Sequence, residues 1–553
     1  MHLHLRPIYS ECVGLARVIL CHSRQKKEPI AMINTAANER TEIEARISRE
    51  GWGDSIGALL VEAAKTYGDR PAAVFFEQDS QITYAELDLL TDQFAMGLLE
   101  RGIRKGAHVA VMLPNTPAFL IAWFGLAKLG AVMVPANTSY TATELDFLLN
   151  QSDSQMLIID SSYLYAFKNM VTRPDILTDE RVIIHDQSDL SCNWHSVFSE
   201  RPNFNPPVPV TGSDLANIQF TSGTTGFPKG CMQPHDYWLL ASKIMSVNFA
   251  SEGLERFLIW GPFFYMDPQW MFLTSLRLGA TSYIANRMQL GRVYEWLADY
   301  AINFCSLPEP ALDRFPQDRS GDDKIRLKFV MSYGWRSETF EKLADRFCTK
   351  ARDCYGMTEI GIGTLMPRSP DVALKFGLSG PVGPMREMRI VGPDQRDVKP
   401  GDVGELWVRG KGLMLGYYKR PDANAEVFTD DWFHTGDLFV SDGDGFLKII
   451  GRIKEMIRRS GENISAREVE SVLKRHSDVA DAAVIAVPDA IRKEEVKAFV
   501  QLATHVETSV LQEEIIAKHC REHLAAFKVP RYFEFVSEFP RTPTGKIKKK
   551  NLS

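Results

Sequence analysis

Phe220-Thr221-Ser222-Gly223-Thr224-Thr225-Gly226-Phe227-Pro228-Lys229-Gly230 gathers hydroxyls, glycines and a single lysine into one short stretch. Glycine lets backbone N–H groups approach a ligand closely, Ser and Thr add neutral donors, and Lys229 adds a point charge. Such a composition suits a loop that wraps a nucleotide triphosphate. The spacing excludes an ordinary Walker loop, which has four residues between its glycines and then Lys followed by Ser or Thr. Here two residues separate Gly223 from Gly226, and Gly230 follows Lys229.

Working outward, residues 55–135 alternate helical segments with short apolar runs. A helix opens after Asp54-Ser55, a strand covers 72–76, a helix 84–102 and a strand 108–113. Further apolar runs at 156–159, 181–184, 257–260 and 329–331 are each followed by turn or helix signals. Alternation of this kind predicts βαβ units and a parallel sheet. Around Gly401 the texture changes to short strands and turns, as in 404–410 and 446–450, which predicts antiparallel β. Beyond Gly451 come a helix over 466–475, strands over 481–487 and 497–502 and a helix over 511–523, the makings of a small α+β domain. The expected fold class is α/β: a large N-terminal domain of parallel-sheet α/β subdomains plus a β-rich subdomain, with a small mobile α+β C-terminal domain.

At 553 residues the chain exceeds what one hydrophobic core usually supports. The expected division is 1–42 as a disordered or mis-started extension, 43–452 as the N-terminal domain and 453–553 as the C-terminal domain. A net charge of −6 leaves no global basic field for nucleic acid. The eight cysteines lack CxxC or Cys/His ligand spacing, which argues against disulfides and structural zinc. The longest apolar run, 118–134, falls short of the roughly 20 residues of a membrane helix and reads as a core helix. Residues 1–27 are basic with one acid, Glu11. A transit peptide, a disordered tail and a start at Met32 are the readings of that segment, and a cytoplasmic location is the expectation. Oligomeric state is unread.

Four further segments join the glycine-rich loop: Tyr355-Gly356-Met357-Thr358-Glu359, Trp432-Phe433-His434-Thr435-Gly436-Asp437, Gly451-Arg452-Ile453-Lys454-Glu455 and Pro543-Thr544-Gly545-Lys546-Ile547. Taken in order, the set resembles the adenylate-forming superfamily of acyl-CoA synthetases, luciferases and peptide-synthetase adenylation domains. The likeness covers nearly the whole chain. It implies ATP, Mg²⁺ as cofactor, coenzyme A as co-substrate and a small-molecule carboxylic acid as substrate; the charge and the apolar runs above speak for no nucleic acid and no membrane span. By resemblance, Thr221, Ser222, Gly223, Thr224, Thr225, Gly226 and Lys229 hold the β- and γ-phosphates, Glu359 holds Mg²⁺ and Thr358 contacts the α-phosphate. Tyr355 and Gly356 face adenine, Asp437 accepts from both ribose hydroxyls beside Arg452, and Lys454 is the hinge residue. Lys546 is the catalytic lysine of the first step, although the run Lys548-Lys549-Lys550 after it has the look of a solvated tail.

The likeness has limits. Where the family often has a small-residue run near adenine, this chain reads Ser332-Tyr333-Gly334-Trp335, so Gly334 carries over and Trp335 does not; its bulk would narrow the pocket. Tyr265, in Pro262-Phe263-Phe264-Tyr265, stands where many relatives have histidine and becomes the candidate gate to the acyl tunnel, with Phe263, Phe264, Trp270 and Phe272 as an apolar lining or plain core. His235 matches a histidine that often follows the phosphate loop. Gly461 matches a glycine beside the pantetheine tunnel, which makes CoA the expected acceptor, and 491–500 is similar to the crotonobetaine/carnitine-CoA ligase branch. The expected activity is an AMP-forming carboxylate–CoA ligase. An acyl-AMP ligase that loads a carrier protein and a non-catalytic nucleotide-binding scaffold are the alternatives.

Overall fold

The computed structural model describes residues 29–186, 189, 193–201, 204–221, 228–287, 289–333, 335, 337–347, 349–368, 377–459, 462–489, 492–503, 506, 510–541 and 546–552. They pack as two units, one within Met1–Ile218 and Gln233–Met385, the other within Gln219–Met232 and Arg386–Ser553.

An eight-stranded sheet of the first unit runs in the order Gly361–Leu365, Lys350–Met357, Phe329–Ser332, Phe304–Ser306, Arg256–Ile259, Thr281–Ile284, Pro71–Phe75, Ser80–Thr83. Its inner strands are parallel and an antiparallel strand closes each edge. In a six-stranded sheet, Val182–His185, Met156–Asp160, His108–Met112, Val132–Pro135 and Leu215–Thr221 pair in parallel, with Lys229–Pro234 at the end. Met156–Asp160 and Val132–Pro135 are buried along their whole length, which is why they read as unbroken apolar runs. The helices are placed by local chemistry: Ser55 caps Ile56–Tyr67 by accepting from the Ala58 N–H, and Thr83 with Glu86 forms a capping box on Tyr84–Glu100.

Two expectations change here. The run 118–134 is a helix, Pro117–Leu129, followed by a strand, because Gly130 takes a left-handed φ of 75° and ends the helix. Lys128 within that helix is buried, and its ammonium lies 2.5 Å from both Asp88 and Asp92, the pairing a buried charge requires. The supposed extension 1–42 differs from Pro29 onward, where a helix runs from Pro29 to Glu50. Ala36, Ile43 and Ile47 of that helix are buried, and Glu39 and Glu42 pair with Arg368. Too few apolar residues mark its inner face for the pattern to stand out in the sequence.

The second unit contains two five-stranded sheets. One is antiparallel, Arg386–Val391, Gly404–Gly410, Trp432–Ser441, Phe428–Thr429, with Leu447–Arg452 also paired to Trp432–Ser441. In the other, Glu462–Ser465, Met456–Arg459, Lys493–Leu502 and Val479–Asp489 follow in order, and Tyr532–Phe535 adds in parallel. The helices Ala466–Leu473 and Val510–His523 supply Val469, Leu473 and Ile516 to a core with Val484, Val496, Ala498 and Val500. The expected 452/453 division coincides with the end of the strand Leu447–Arg452 and lies within this unit.

Candidate active site

In the first unit, Tyr355 and Gly356 sit at the C-terminal end of Lys350–Met357, the edge at which α/β sheets bind ligands. The strand turns back at Met357–Ile360, closed by the Ile360 N–H donating to the Met357 carbonyl at 3.0 Å. A register shift falls between Tyr355 and Gly356, and a Cβ on Gly356 would stand 2.4 Å from the Gly361 carbonyl oxygen, so glycine is required. Tyr355 is buried; its N–H donates to Thr364 Oγ1 at 3.1 Å and its hydroxyl to Met357 Sδ at 3.5 Å. Thr358 is half-buried and Glu359 buried on the turn.

What holds that turn is a residue outside the expected set. Gln233, fully buried, donates from Nε2 to the Thr358 carbonyl at 2.9 Å. Its only signal in the sequence is an amide inside the otherwise apolar Cys231-Met232-Gln233-Pro234. Replacing Gln233 with leucine is expected to cost about 1 kcal/mol of turn placement, roughly a fivefold loss in kcat/KM for ATP-dependent adenylation. Pyrophosphate release measured across a Mg²⁺ titration checks it; an unchanged rate assigns Gln233 to packing alone.

His235 is fully buried, and its Nδ1 accepts the Ile56 N–H at 3.1 Å. Burial lowers its pKa to about 4, so the ring is neutral at pH 7. It anchors the start of Ile56–Tyr67. Trp335 is also buried: its Nε1 donates to the Leu307 carbonyl at 3.1 Å and its ring packs 5.4 Å from Phe340. That side chain packs with the core around Phe340. Phe263, Trp270 and Phe272 are core as well. Tyr265 is half-buried at the head of the helix Met266–Leu278, and its hydroxyl accepts from Asn137 Nδ2 at 3.3 Å. Burial pushes its hydroxyl up to about 12, so it stays protonated. Two residues on, Asp267 is exposed, and its Oδ1 accepts from Trp270 Nε1 at 3.1 Å and the Tyr333 hydroxyl at 3.4 Å.

In the second unit, Thr221 Oγ1 donates to the Lys229 carbonyl at 3.4 Å. The strand after it is held by backbone bonds to 415–418: Met232 N–H to Gly416 O, Leu415 N–H to Met232 O and Tyr418 N–H to Gly230 O. Lys229 Nζ lies 4.2 Å from the centroid of the Tyr417 ring, a cation–π contact that fixes the ammonium at the loop's exit. Ser222, Gly223, Thr224, Thr225, Gly226, Gly334 and Gly461 lie outside the described residues.

The Thr435-Gly436-Asp437 segment is built with care. Thr435 Oγ1 donates to the Leu406 carbonyl and accepts the Asp437 N–H, while Gly436, at φ 71°, donates its N–H to Glu405 Oε1. Asp437 is 2% exposed, and Arg452, its cross-strand partner, donates from Nε to its Oδ1 at 2.9 Å. Lys454 is exposed on the turn Ile453–Glu455. The C-terminal lysines divide in two. Lys549 bonds Glu470 at 2.7 Å and Glu455 at 3.3 Å, whereas Lys546 is exposed beside the bridge that pairs Arg541 with Ile547. A run that looks uniform in sequence thus holds one lysine tied into ion pairs, Lys549, among lysines exposed to solvent.

Among the described residues no group of three or more His, Cys, Asp or Glu is arranged to hold a metal. A buried carboxylate such as Glu359 fits Mg²⁺, which takes one or two protein carboxylates and completes its shell with phosphates and water.

The AMP-binding enzyme family matches residues 60–418, and the AMP-binding enzyme C-terminal domain matches 468–546. The chain belongs to this family, and its class is that of ATP-dependent acyl-CoA ligases. Among its relatives, the crotonobetaine/carnitine–CoA ligase of Proteus mirabilis is 32% identical over 509 residues, covering 89% of this chain and 97% of that one. Two solved structures superpose on it. The o-succinylbenzoate CoA synthetase of Bacillus subtilis with its acyl-adenylate OSB-AMP has a TM-score of 0.75 at 25% identity, covering 90% of this chain and 97% of the other. A fatty acyl CoA synthetase of Mycobacterium tuberculosis gives 0.70 at 28% identity, with the same coverage. No helix among the described residues is long and apolar enough to cross a membrane.

Proposed function

We propose that the chain joins a carboxylic acid to coenzyme A in two half-reactions, through an acyl-adenylate. In the first, the acid's carboxylate attacks the α-phosphorus of ATP, the P–O bond to the leaving group breaks, and pyrophosphate departs. Two anions meet in that step, so charge must be neutralised on both sides of the phosphorus. Lys546 serves the acid and α-phosphate oxygens, Lys229 and the loop 221–226 the leaving phosphates, and Thr358 the α-phosphate. Asp437 and Arg452 take the ribose, and Tyr355 the base. Mg²⁺ held by Glu359 would screen the phosphate charge. In the second half-reaction the thiol of CoA, as thiolate, attacks the acyl carbonyl and AMP leaves. Lys454 is the hinge about which 453–553 exchanges Lys546 for the Gly461 segment.

The observation that carries this reading is the turn Met357–Ile360, which sets Thr358 and a buried Glu359 at the C-terminal edge of a parallel sheet. AMP release measured with and without CoA, over aliphatic, aromatic, carnitine-like and steroid acids, tests it. CoA-dependent AMP release with an acyl-CoA product is expected; release that needs a carrier protein instead assigns the chain to acyl-AMP ligases, and no acid-dependent pyrophosphate at all makes it a scaffold.

A further inference from the structure

We infer that Tyr417 is a positioning residue for Lys229: its ring holds the ammonium in readiness for the leaving phosphates, and Asn424 holds the ring. The inference rests on the ligase reading above and adds this pair of residues to its first half-reaction.

Tyr417 lies far along the chain from Lys229, on a segment that pairs with the strand leaving the glycine-rich loop. Cys231 and Tyr417 face each other in an antiparallel bridge, flanked by the Met232 N–H on Gly416 O and the Tyr418 N–H on Gly230 O. At the same neck Thr221 Oγ1 donates to the Lys229 carbonyl. The backbone of Lys229 is therefore fixed, and its side chain is laid against the Tyr417 ring, with Nζ 4.2 Å from the centroid. The ring has little freedom of its own. Tyr417 is buried, its N–H donates to Asn424 Oδ1 at 2.7 Å, and its carbonyl accepts from Asn424 Nδ2 at 3.1 Å. Asn424, on the helix Pro421–Val427, thus clamps both backbone polar groups of Tyr417. Gly416 makes room for the clamp: its φ of 120° favours glycine, and a Cβ there would stand 3.1 Å from Asn424 Oδ1.

The chemical nature of the partner is what points to the phosphates. Lys549 shows the other way in which this chain immobilises a lysine: two carboxylates, Glu470 and Glu455, hold the ammonium and cancel its charge. A ring holds an ammonium through its quadrupole and carries no net charge, so the cation keeps its full attraction for an anion. The ring also occupies one side of the ammonium, and donors remain for phosphate oxygens. A free lysine side chain visits many rotamers and is in place in only a fraction of molecules, and affinity falls by that fraction. Tyr417 raises the fraction before the nucleotide arrives. Plain packing is the other role open to a buried tyrosine, and it predicts no dependence on the electrons of the ring or on Lys229.

Calorimetric titration of the full chain with ATP and with AMP, each with Mg²⁺ and without acid, reads the effect in the absence of turnover. AMP lacks the phosphates that Lys229 serves and is the internal control. The comparison is between Tyr417→Phe and the same chain with pentafluorophenylalanine at position 417, which nearly keeps the shape of the ring and reverses its quadrupole. Fluorination is expected to raise the Kd for ATP about fivefold and to leave that for AMP within about twofold. In a Lys229→Met background the fluorinated ring should change neither Kd further, because the two replacements remove one shared contact. An ATP affinity that ignores fluorination overturns the inference and leaves the ligase reading intact. So does equal weakening of ATP and AMP, or a loss that persists in the Lys229→Met background, each the mark of packing. If Lys229→Met alone binds ATP as the wild type does, the phosphate role of Lys229 falls and takes the inference with it. Pyrophosphate release by the wild type over the acid panel decides the ligase reading separately.

Discussion

Replacing Lys546 with alanine is expected to lower acid- and ATP-dependent pyrophosphate release by about 10²- to 10³-fold, the range seen when one preorganised group is taken from a developing oxyanion. Formation of the thioester from supplied acyl-adenylate and CoA should stay within about threefold of the wild type, because that step displaces AMP and creates no bond at the α-phosphorus. The split between the two assays is the diagnostic. Lys548 provides the control: it is also exposed and two residues away, so Lys548→Ala is expected to leave both rates unchanged. Lys549→Ala addresses a different property, since it removes the cation between Glu470 and Glu455 and leaves two carboxylates facing each other. Its effect should appear as a lowered melting temperature. Equal loss of both half-reactions in Lys546→Ala gives Lys546 a structural part only and overturns its assignment.

What could be read before the fold was seen follows from how far apart the interacting residues lie. The parallel strands read at 72–76, 108–113, 156–159, 181–184, 257–260 and 329–331 match those found to within a residue or two, because burial leaves few polar residues to blur such apolar runs. Val132–Pro135, by contrast, was absorbed into the helical run 118–134, and Leu215–Thr221, Thr281–Ile284 and Phe304–Ser306 were not read. The Tyr355–Glu359, Thr435–Asp437 and Gly451–Glu455 segments were legible for the same reason of contiguity: their geometry is made by neighbours, as in the Thr435 hydroxyl that accepts the Asp437 N–H. Gln233 and Asp267 were not legible. Their partners Thr358 and Tyr333 lie 125 and 66 positions away, and a lone amide or acid in a sequence gives no sign of what the fold brings to it. Trp335 likewise finds its partners through the fold: its place beside a small-residue motif gives no sign of the Leu307 carbonyl that its Nε1 reaches. The helix Pro29–Glu50 escaped notice because its buried Ala36, Ile43 and Ile47 are outnumbered by polar residues, and part of its anchoring comes from ion pairs with Arg368.

Asp437→Ala separates the two parts that a buried ion pair can play. If Asp437 mattered chiefly as the partner of Arg452, its loss would destabilise the fold. Arg452 is 42% exposed, however, and an ion pair with a solvated partner is worth about 0–1 kcal/mol. The guanidinium left behind turns to water at little cost, so the melting temperature should fall by only a few degrees. The ribose is another matter. Two hydroxyls donating to one carboxylate are charge-assisted bonds of about 1.5 kcal/mol each, and losing both corresponds to roughly 10²-fold in affinity. KM for ATP in the pyrophosphate assay is therefore expected to rise about 10²-fold in Asp437→Ala, with a smaller rise in Asp437→Asn, whose amide keeps one acceptor oxygen. Titration of AMP by calorimetry gives the same contrast without turnover. The rigid seat of Asp437, with its N–H on Thr435 and the adjoining Gly436 N–H on Glu405, makes compensation by backbone movement costly. An Asp437→Ala protein that binds AMP as the wild type does, yet melts far lower, would reassign this carboxylate from the nucleotide to the sheet.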